Sequence, residues 1–354
     1  MKKILVGMSG GVDSSAAALL LLKQGYDVSG CTMRLFDGED NDVMTRTCCS
    51  LSDVEDARSV CYKLGIEHYV FNFKDMFRTE VMDKFAEGYI CGETPNPCIS
   101  CNRYIKFGKM LERALTLGFD GIATGHYARV RQDEATGRYL LACSKDMRKD
   151  QTYFLYNMTQ QQLAHTLFPL YDMDKQQIRA LAEENGLITA RKRDSQDICF
   201  VPDGDYVKFI ESYTGKTFPE GDFVDIDGNV IGRHGGLIRY TIGQRRGLGA
   251  TFGKPVYVCG KNVRDNTVTL SESEYTAREI SLTDVNLISA ESLAEPMLVT
   301  AKVRYSAKPQ EATVYPEENG VMKVVFSEPV RNPAPGQACV LYSGDIVVGG
   351  GKIL

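Results

Sequence analysis

An apolar run, Ile4-Leu5-Val6, breaks at Gly7-Met8-Ser9-Gly10-Gly11 and resumes as Val12-Asp13-Ser14-Ser15 followed by Ala16-Ala17-Ala18-Leu19-Leu20. A strand that turns this tightly into a helix leaves the first-turn N–H groups unpaired. Gly10 and Gly11 keep Cβ atoms out of their way. Such a junction cradles an anion. An ordinary strand-to-helix turn needs one glycine and one capping serine, so two glycines with hydroxyls on both sides point to phosphate.

The same alternation continues through the first half. "YDVSGCTM" and "IEHYVFNF" read as strands, and "SDVEDARSVCYKLG" as a helix opened by a Ser52/Glu55 capping box and closed at Gly65. Helices are expected near 75–90 and 103–117, a strand at "FDGIATGH", and a further helix begun by Asp174 and ended by Gly186. Repeated βαβ units predict a parallel sheet, with ligands beyond the carboxyl ends of its strands. Gly7 to Ser14, Met33 and Gly125-His126 all follow predicted strands and so can converge on one crevice.

Beyond about residue 205 the texture becomes mostly β. "FVDIDGNVIG" carries a hairpin turn at Asp-Gly, and "VTAKVRY", "EATVY" and "VMKVVF" lie at hairpin spacing. The expected division is an α/β domain over 1–204, a small mixed domain over 205–278 and a β domain over 279–354. The last is a barrel or sandwich by pattern, and a C-terminal β-barrel is the expectation carried forward.

The longest strictly apolar run, Ala16 to Leu22, is about a third of the roughly 20 residues a membrane helix needs. No secretion signal is evident, which predicts a cytoplasmic protein with no membrane partner and with reduced thiols among its 11 cysteines. Cys31, Cys61, Cys143, Cys259 and Cys339 sit singly among apolar neighbours, as buried packing cysteines do. A net charge of −5, with an acidic loop at Asp37, Glu39, Asp40 and Asp42, means that any polyanion must bind a local basic patch.

A Walker loop places Lys immediately before its Ser or Thr, and here Asp13 stands there instead. The glycine spacing is also wrong for a dinucleotide fingerprint. Ser9-Gly10-Gly11-Val12-Asp13-Ser14 resembles the signature of the PP-loop ATP pyrophosphatases, whose fold is of the adenine nucleotide alpha hydrolase kind. That resemblance implies ATP cleaved between its α- and β-phosphates, AMP moved onto an acceptor oxygen, and Asp13 helping to hold Mg²⁺ on the leaving pyrophosphate. As a first-turn helix carboxylate, Asp13 also has a plain electrostatic role.

Two cysteine motifs bear on the acceptor. "GETPNPCISCNRYIKFG" places Cys98 and Cys101 in a Pro-rich loop just before a helix, near Arg103 and Lys106, and "RKRDSQDICF" places Cys199 behind three basic residues. Low-pKa thiols in such settings suit sulfur transfer by thiol–disulfide exchange. Taken alone, Cys199 between Ile198 and Phe200 reads equally well as a buried packing residue.

Together with "IATGHYAR", "KDQTYFLY", "GQRRGLG", "VRYSAKP" and "PGQACVLY", these stretches resemble the tRNA-specific 2-thiouridylases over essentially the whole chain. The resemblance implies a tRNA-uridine 2-sulfurtransferase that adenylates the 2-oxygen of the wobble uridine and replaces it with sulfur. By the same resemblance Cys101 is the nucleophile and Cys199 the persulfide carrier, with a Cys101–Cys199 disulfide formed in the process. Gly7, Met8, Ser9, Gly10, Gly11, Val12, Asp13, Ser14, Met33 and Gly125 would bind ATP. Asn96, Pro97 and Cys98 would line the pocket for the flipped base. His126, Lys149, Asp150, Gln151, Arg304, Tyr305 and Gln337 would contact tRNA. Arg191, Lys192, Arg193, Arg245 and Arg246 are phosphate contacts by charge alone. The sulfur donor would be a cysteine desulfurase or a sulfur-relay protein.

The chain departs from the commoner family pattern at Cys98, where Asp is usual. Cys98, Cys101 and Cys199 are the three thiolates a [4Fe–4S] cluster with one open iron would need, and that arrangement is the alternative route for the same reaction. Two rival functions remain from residues alone: an amidating PP-loop ligase, and an RNA-binding module whose nucleotide site regulates affinity.

Overall fold

A computed structural model describes residues 1–36, 51–192, 197–201, 203–316 and 318–354. The acidic loop, the Cys48-Cys49 pair and Arg193 lie outside the described residues. Two compact units are formed, one from Met1–Met82, Cys98–Gly204 and Asp345–Val347, the other from Asp83–Pro97, Asp205–Gly344 and Val348–Leu354.

The first unit is built on β1 (Lys3–Gly7), β2 (Asp27–Arg34), β3 (His68–Asn72), β4 (Gly121–Ala123) and β7 (Thr166–Leu167), in the order β3-β2-β1-β4-β7. All four pairings are parallel. Ile4, Leu5 and Val6 are all buried, as expected for a central parallel strand covered on both faces. The helix Val12–Lys23 buries Ala16, Ala17, Ala18, Leu19 and Leu21 against that sheet, each buried Leu contributing about 2 kcal/mol. The chain runs outward from β1 to β2 and β3, then returns to place β4 on the other side of β1. The order therefore reverses between β1 and β4, the switch point beyond whose carboxyl ends sheets of this kind bind ligands.

Between β4 and β7 the chain makes an antiparallel hairpin, β5 (Ala128–Gln132) and β6 (Tyr139–Cys143). The helix expected from Asp174 is present as Lys175–Glu184, with Asp174 accepting from Gln177 N and Gln177 bonding back to Asp174 N, both at 2.9 Å. The helix expected from Ser52 is present as Leu51–Leu64 and takes in Ser52 itself.

In the second unit the helix Tyr206–Thr214 packs on Lys84–Ile90 through a Tyr89–Tyr206 stack at 4.5 Å and a Phe85–Phe209 contact. A four-stranded sheet of β8 (Gly221–Val224), β9 (Val230–His234), β10 (Tyr257–Asn262) and β11 (Thr267–Ser271) has the order β10-β11-β8-β9, with the β8–β9 hairpin turning at Asp227-Gly228. Then β12 (Thr276–Leu287), β13 (Met297–Lys302), β14 (Gln310–Tyr315), β15 (Met322–Arg331), β16 (Ala338–Ser343) and β17 (Ile346–Ile353) follow in the order β12-β15-β14-β13-β16-β17. The β12–β17 pairing, with Leu282 opposite Ile353, closes these six into a barrel around Val324, Phe326, Cys339 and Leu341. Among the described residues no helix is long and apolar enough to cross a membrane.

Candidate active site

The loop between β1 and the Val12–Lys23 helix needs its glycines. Gly10 has φ +70°, and a Cβ on it would stand 2.6 Å from the carbonyl oxygen of Asp53. The helix is capped by the backbone of Gly11, with no side-chain hydrogen bond, so no capping oxygen competes for the first-turn N–H groups. The serines divide their work. Ser15 Oγ and Ser14 Oγ donate to Gly11 O at 2.9 and 3.1 Å, and Ser14 Oγ accepts from Ser9 N at 3.2 Å. Ser9 is the exposed member, and its hydroxyl meets Ser14 Oγ at 3.2 Å.

Gly125, after β4, packs against this first turn: a Cβ there would lie 2.7 Å from the carbonyl carbon of Asp13 and 2.8 Å from Ser14 N. Met33, at the end of β2, is half-buried, and Met8 N is held by Cys31 O at 2.7 Å. The structure thus gathers the predicted nucleotide residues at one end of the sheet. Gly10 and Gly125 allow the loop to pack directly on the backbones of Asp53 and of the first helical turn, whereas a Cβ on Gly11 would meet only Ser9 Oγ, at 3.4 Å. The open, uncapped turn behind Gly11 is the feature that fits a phosphate group.

Asp13 carries the negative charge of the cradle. Both its oxygens accept from Lys175 Nζ, at 2.7 and 2.8 Å, and Oδ1 accepts from the Tyr127 hydroxyl at 2.8 Å. Tyr127 is in turn fixed by Gln151, whose side-chain oxygen accepts from Tyr127 N at 3.0 Å while Gln151 N donates to Tyr127 O at 3.0 Å. Neither Lys175 nor Tyr127 was legible as a site residue. The one signal was that a carboxylate in a phosphate loop needs a counter-charge.

Asp53 links the loop to the basic motif. Its backbone contacts Gly10, and its carboxylate accepts from Lys192 Nζ at 2.6 Å, a donor shared with Asp56 at 2.6 Å. Arg191 pairs with Glu183 at 2.6 Å, and Arg245 and Arg246 are exposed.

The thiols sit differently from expectation. A continuous helical run starts at Pro97, as Pro97–Ser100, widens to π-type turns over Cys101–Met110 and ends as Leu111–Thr116. Cys98 and Cys101 are thus in the opening turns of a helix and not in a loop before it, since Pro is well tolerated at a first helical position. Short π segments recur at functional sites. Cys98 is exposed and Cys101 buried, while Asn102 donates to Phe154 O at 3.1 Å and pins the start of the run. Cys199 is half-buried, and its neighbour Phe200 takes the core position, edge-on to Phe77 at 5.7 Å. No disulfide joins Cys98, Cys101 or Cys199 among the described residues. Among the described residues no three Cys, His, Asp or Glu side chains gather as a group that could hold a metal ion.

His126 is packed near Phe107 and Phe168, with ring centroids at 5.6 and 6.1 Å, and its Nδ1 meets Thr124 Oγ1 at 2.8 Å. Burial, aided by the Lys106 ammonium, pushes its pKa well below the ordinary histidine range, so it is neutral at physiological pH. Asp150 is turned inward: it is buried and accepts from Ser144 N at 2.8 Å, Thr152 N at 3.1 Å and the Thr152 hydroxyl. Lys149 is half-buried beside it.

In the second unit Arg304 and Tyr305 are exposed just beyond β13, with the Lys302 ammonium 5.4 Å from the Tyr305 ring. Gln337 donates through Nε2 to Thr94 O at 2.5 Å, and Thr94 N donates to Pro335 O at 2.8 Å, which anchors the segment leading to Asn96 and Pro97.

Comparison with known proteins gives three domain-family matches: a tRNA methyl transferase HUP domain over residues 2–203, a tRNA methyl transferase PRC-barrel domain over 207–272, and an aminomethyltransferase beta-barrel domain over 277–353. A tRNA-specific 2-thiouridylase MnmA of Acetivibrio thermocellus is 54% identical over 355 residues, covering 99% of this chain and 99% of that protein. A protein of the same description from Clostridioides difficile is 51% identical, covering 99% of this chain and 98% of that one.

Proposed function

The chain belongs to the tRNA-specific 2-thiouridylase family, and from that premise we propose that it thiolates the 2-position of the wobble uridine of tRNA at the expense of ATP. The observation that carries this reading at the site is the uncapped first turn of the Val12–Lys23 helix behind Gly10-Gly11 at the β1–β4 switch point, in the same unit as Cys101 and Cys199.

A uracil 2-oxygen belongs to a urea-like system and leaves poorly. In the first step it attacks the α-phosphorus of ATP, the bond to the bridging oxygen breaks, and its electron pair leaves with pyrophosphate. Asp13 would hold a Mg²⁺ ion that neutralises the departing phosphates, an ion that suits one or two carboxylates plus phosphate oxygens. The first-turn N–H groups and Ser9 bind the phosphates.

In the second step the terminal sulfur of a Cys199 persulfide bonds to C2 and AMP departs with the former uridine oxygen. Cys101 thiolate attacks the Cys199 sulfur, so the sulfur–sulfur bond of the persulfide breaks and a Cys101–Cys199 disulfide takes its place. A thiol reductant must reopen it before the next turnover. The sulfur comes from a cysteine desulfurase or a sulfur-relay protein, and the work is done in the cytoplasm.

Asn96, Pro97 and Cys98 receive the flipped base, and His126, neutral, stands beside it as a hydrogen-bonding group. Lys149, Arg304, Tyr305 and Gln337 contact the tRNA, whereas Asp150 and Gln151 act by holding the 144–152 segment in place. The division into parts at 1–204, 205–278 and 279–354 belongs to the same proposal.

Pyrophosphate release tests the reading. It should require tRNA with uridine at the wobble position and stop when cytidine replaces it. Release that ammonia elicits without tRNA would identify an amidating ligase instead.

A further inference from the structure

The phosphate loop lacks the lysine that a Walker loop carries, and at that place has a carboxylate of the opposite sign, Asp13. A lone carboxylate among bound phosphates is repulsive, yet the structure brings a cation to it from 162 residues away. We propose that Lys175 is the missing phosphate-binding cation: it waits on Asp13 and transfers to the pyrophosphate part of ATP when Mg²⁺ takes over the carboxylate. The inference rests on the function proposed above.

Lys175 is the first residue of a helix whose start is fixed by the Asp174/Gln177 capping box. The inner face of that helix is locked in the core, with Ile178 and Ala182 fully buried in the cluster that holds Ala16 to Leu19 of the loop helix. The backbone of Lys175 is therefore rigid with respect to the loop, and only its four-carbon stem has freedom to redirect the ammonium. The side chain is 15% exposed and that of Asp13 31%, so the pair lies at the mouth of the cradle, where a ligand can reach it.

Tyr127 makes the exchange feasible. Its hydroxyl holds Asp13 Oδ1 at 2.8 Å independently of Lys175, so the carboxylate keeps its orientation when the ammonium leaves. During adenylation the bond between the α-phosphorus and its bridging oxygen breaks and the electron pair goes to pyrophosphate. Lys175 then offsets the charge that the leaving group gains, as a phosphate-loop lysine does.

Calorimetric binding of Mg·ATP, AMP and pyrophosphate to the full-length protein tests this. Lys175→Met should weaken Mg·ATP and pyrophosphate by about tenfold or more while AMP stays within about twofold, and Lys175→Arg should recover much of the loss. Asp13→Asn supplies a second reading. In metal-free buffer it should bind ATP more tightly than wild type, because the ammonium is released toward the phosphates. If Lys175→Met keeps the wild-type ratio of ATP to AMP affinity, or if Asp13→Asn weakens metal-free ATP, the pair is structural only and the inference fails. Failure of the wild-type protein itself to bind Mg·ATP would overturn the proposed function instead.

Discussion

Gly125 lies so close to Asp13 that a Cβ on it would stand 2.7 Å from the Asp13 carbonyl carbon. The neighbouring atoms are backbone, which cannot rotate away as a flexible side chain could. Gly125→Ala should therefore displace the first turn of the phosphate-loop helix. The expected result is a loss of Mg·ATP affinity of about tenfold or more, with a destabilisation of roughly 1–3 kcal/mol, read by calorimetry and thermal melting.

Asp150 is the central acceptor of the 144–152 segment, taking hydrogen bonds from Ser144 N, Thr152 N and the Thr152 hydroxyl. Asp150→Ala would leave these donors buried without a partner. The variant should lose roughly 2–4 kcal/mol of stability. An unchanged melting temperature with weakened tRNA binding would instead make Asp150 a direct RNA contact.

Lys261, on β10, has a buried ammonium with no hydrogen-bond partner among the described residues. Burial pushes its pKa down to about 8, against an upward pull from Glu93. A base whose folded pKa lies below its unfolded value makes the protonated chain less stable when folded. The cost is therefore fully present below about 8 and is relieved as pH rises toward the ordinary lysine value of 10.5. Lys261→Met should stabilise the protein at pH 7 by about 1–3 kcal/mol, and that advantage should shrink as pH approaches 10. Parallel denaturant melts of the two proteins across this range provide the check.

Cys101 and Cys199 enter only after adenylation in the proposed sequence. Cys101→Ser and Cys199→Ser should each abolish sulfur incorporation while tRNA-dependent pyrophosphate release persists. Loss of both activities together in a well-folded variant would assign the thiol to the first step.

The phosphate loop was legible because its chemistry is local: consecutive glycines, a preceding apolar strand and a following apolar helix leave little choice of geometry. The parallel sheet was legible from the repeating βαβ texture; hairpin spacing gave the strands of the last domain but left barrel and sandwich open, because closure depends on the pairing of β12 with β17 across the sequence. The start of the thiol-bearing helix was not, because Pro95 and Pro97 read as loop residues until tertiary packing, including the Asn102–Phe154 bond, selects Pro97 as a first helical position. The Asp13–Lys175 pair joins positions 162 apart, and no local pattern encodes such a meeting. Polar residues such as Asp150 and Gln337 could be picked out as special, yet sequence could not say that their side chains point inward to hold backbone groups.

The central claim is that AMP is transferred to the uridine 2-oxygen before sulfur replaces it. We would supply tRNA carrying heavy oxygen at C2 of the wobble uridine, with ATP and a persulfide donor, and analyse the products by mass spectrometry. The account predicts that each thiolated uridine is matched by one AMP bearing the heavy oxygen on its phosphate. Thiolated tRNA accompanied by unlabelled AMP would contradict it.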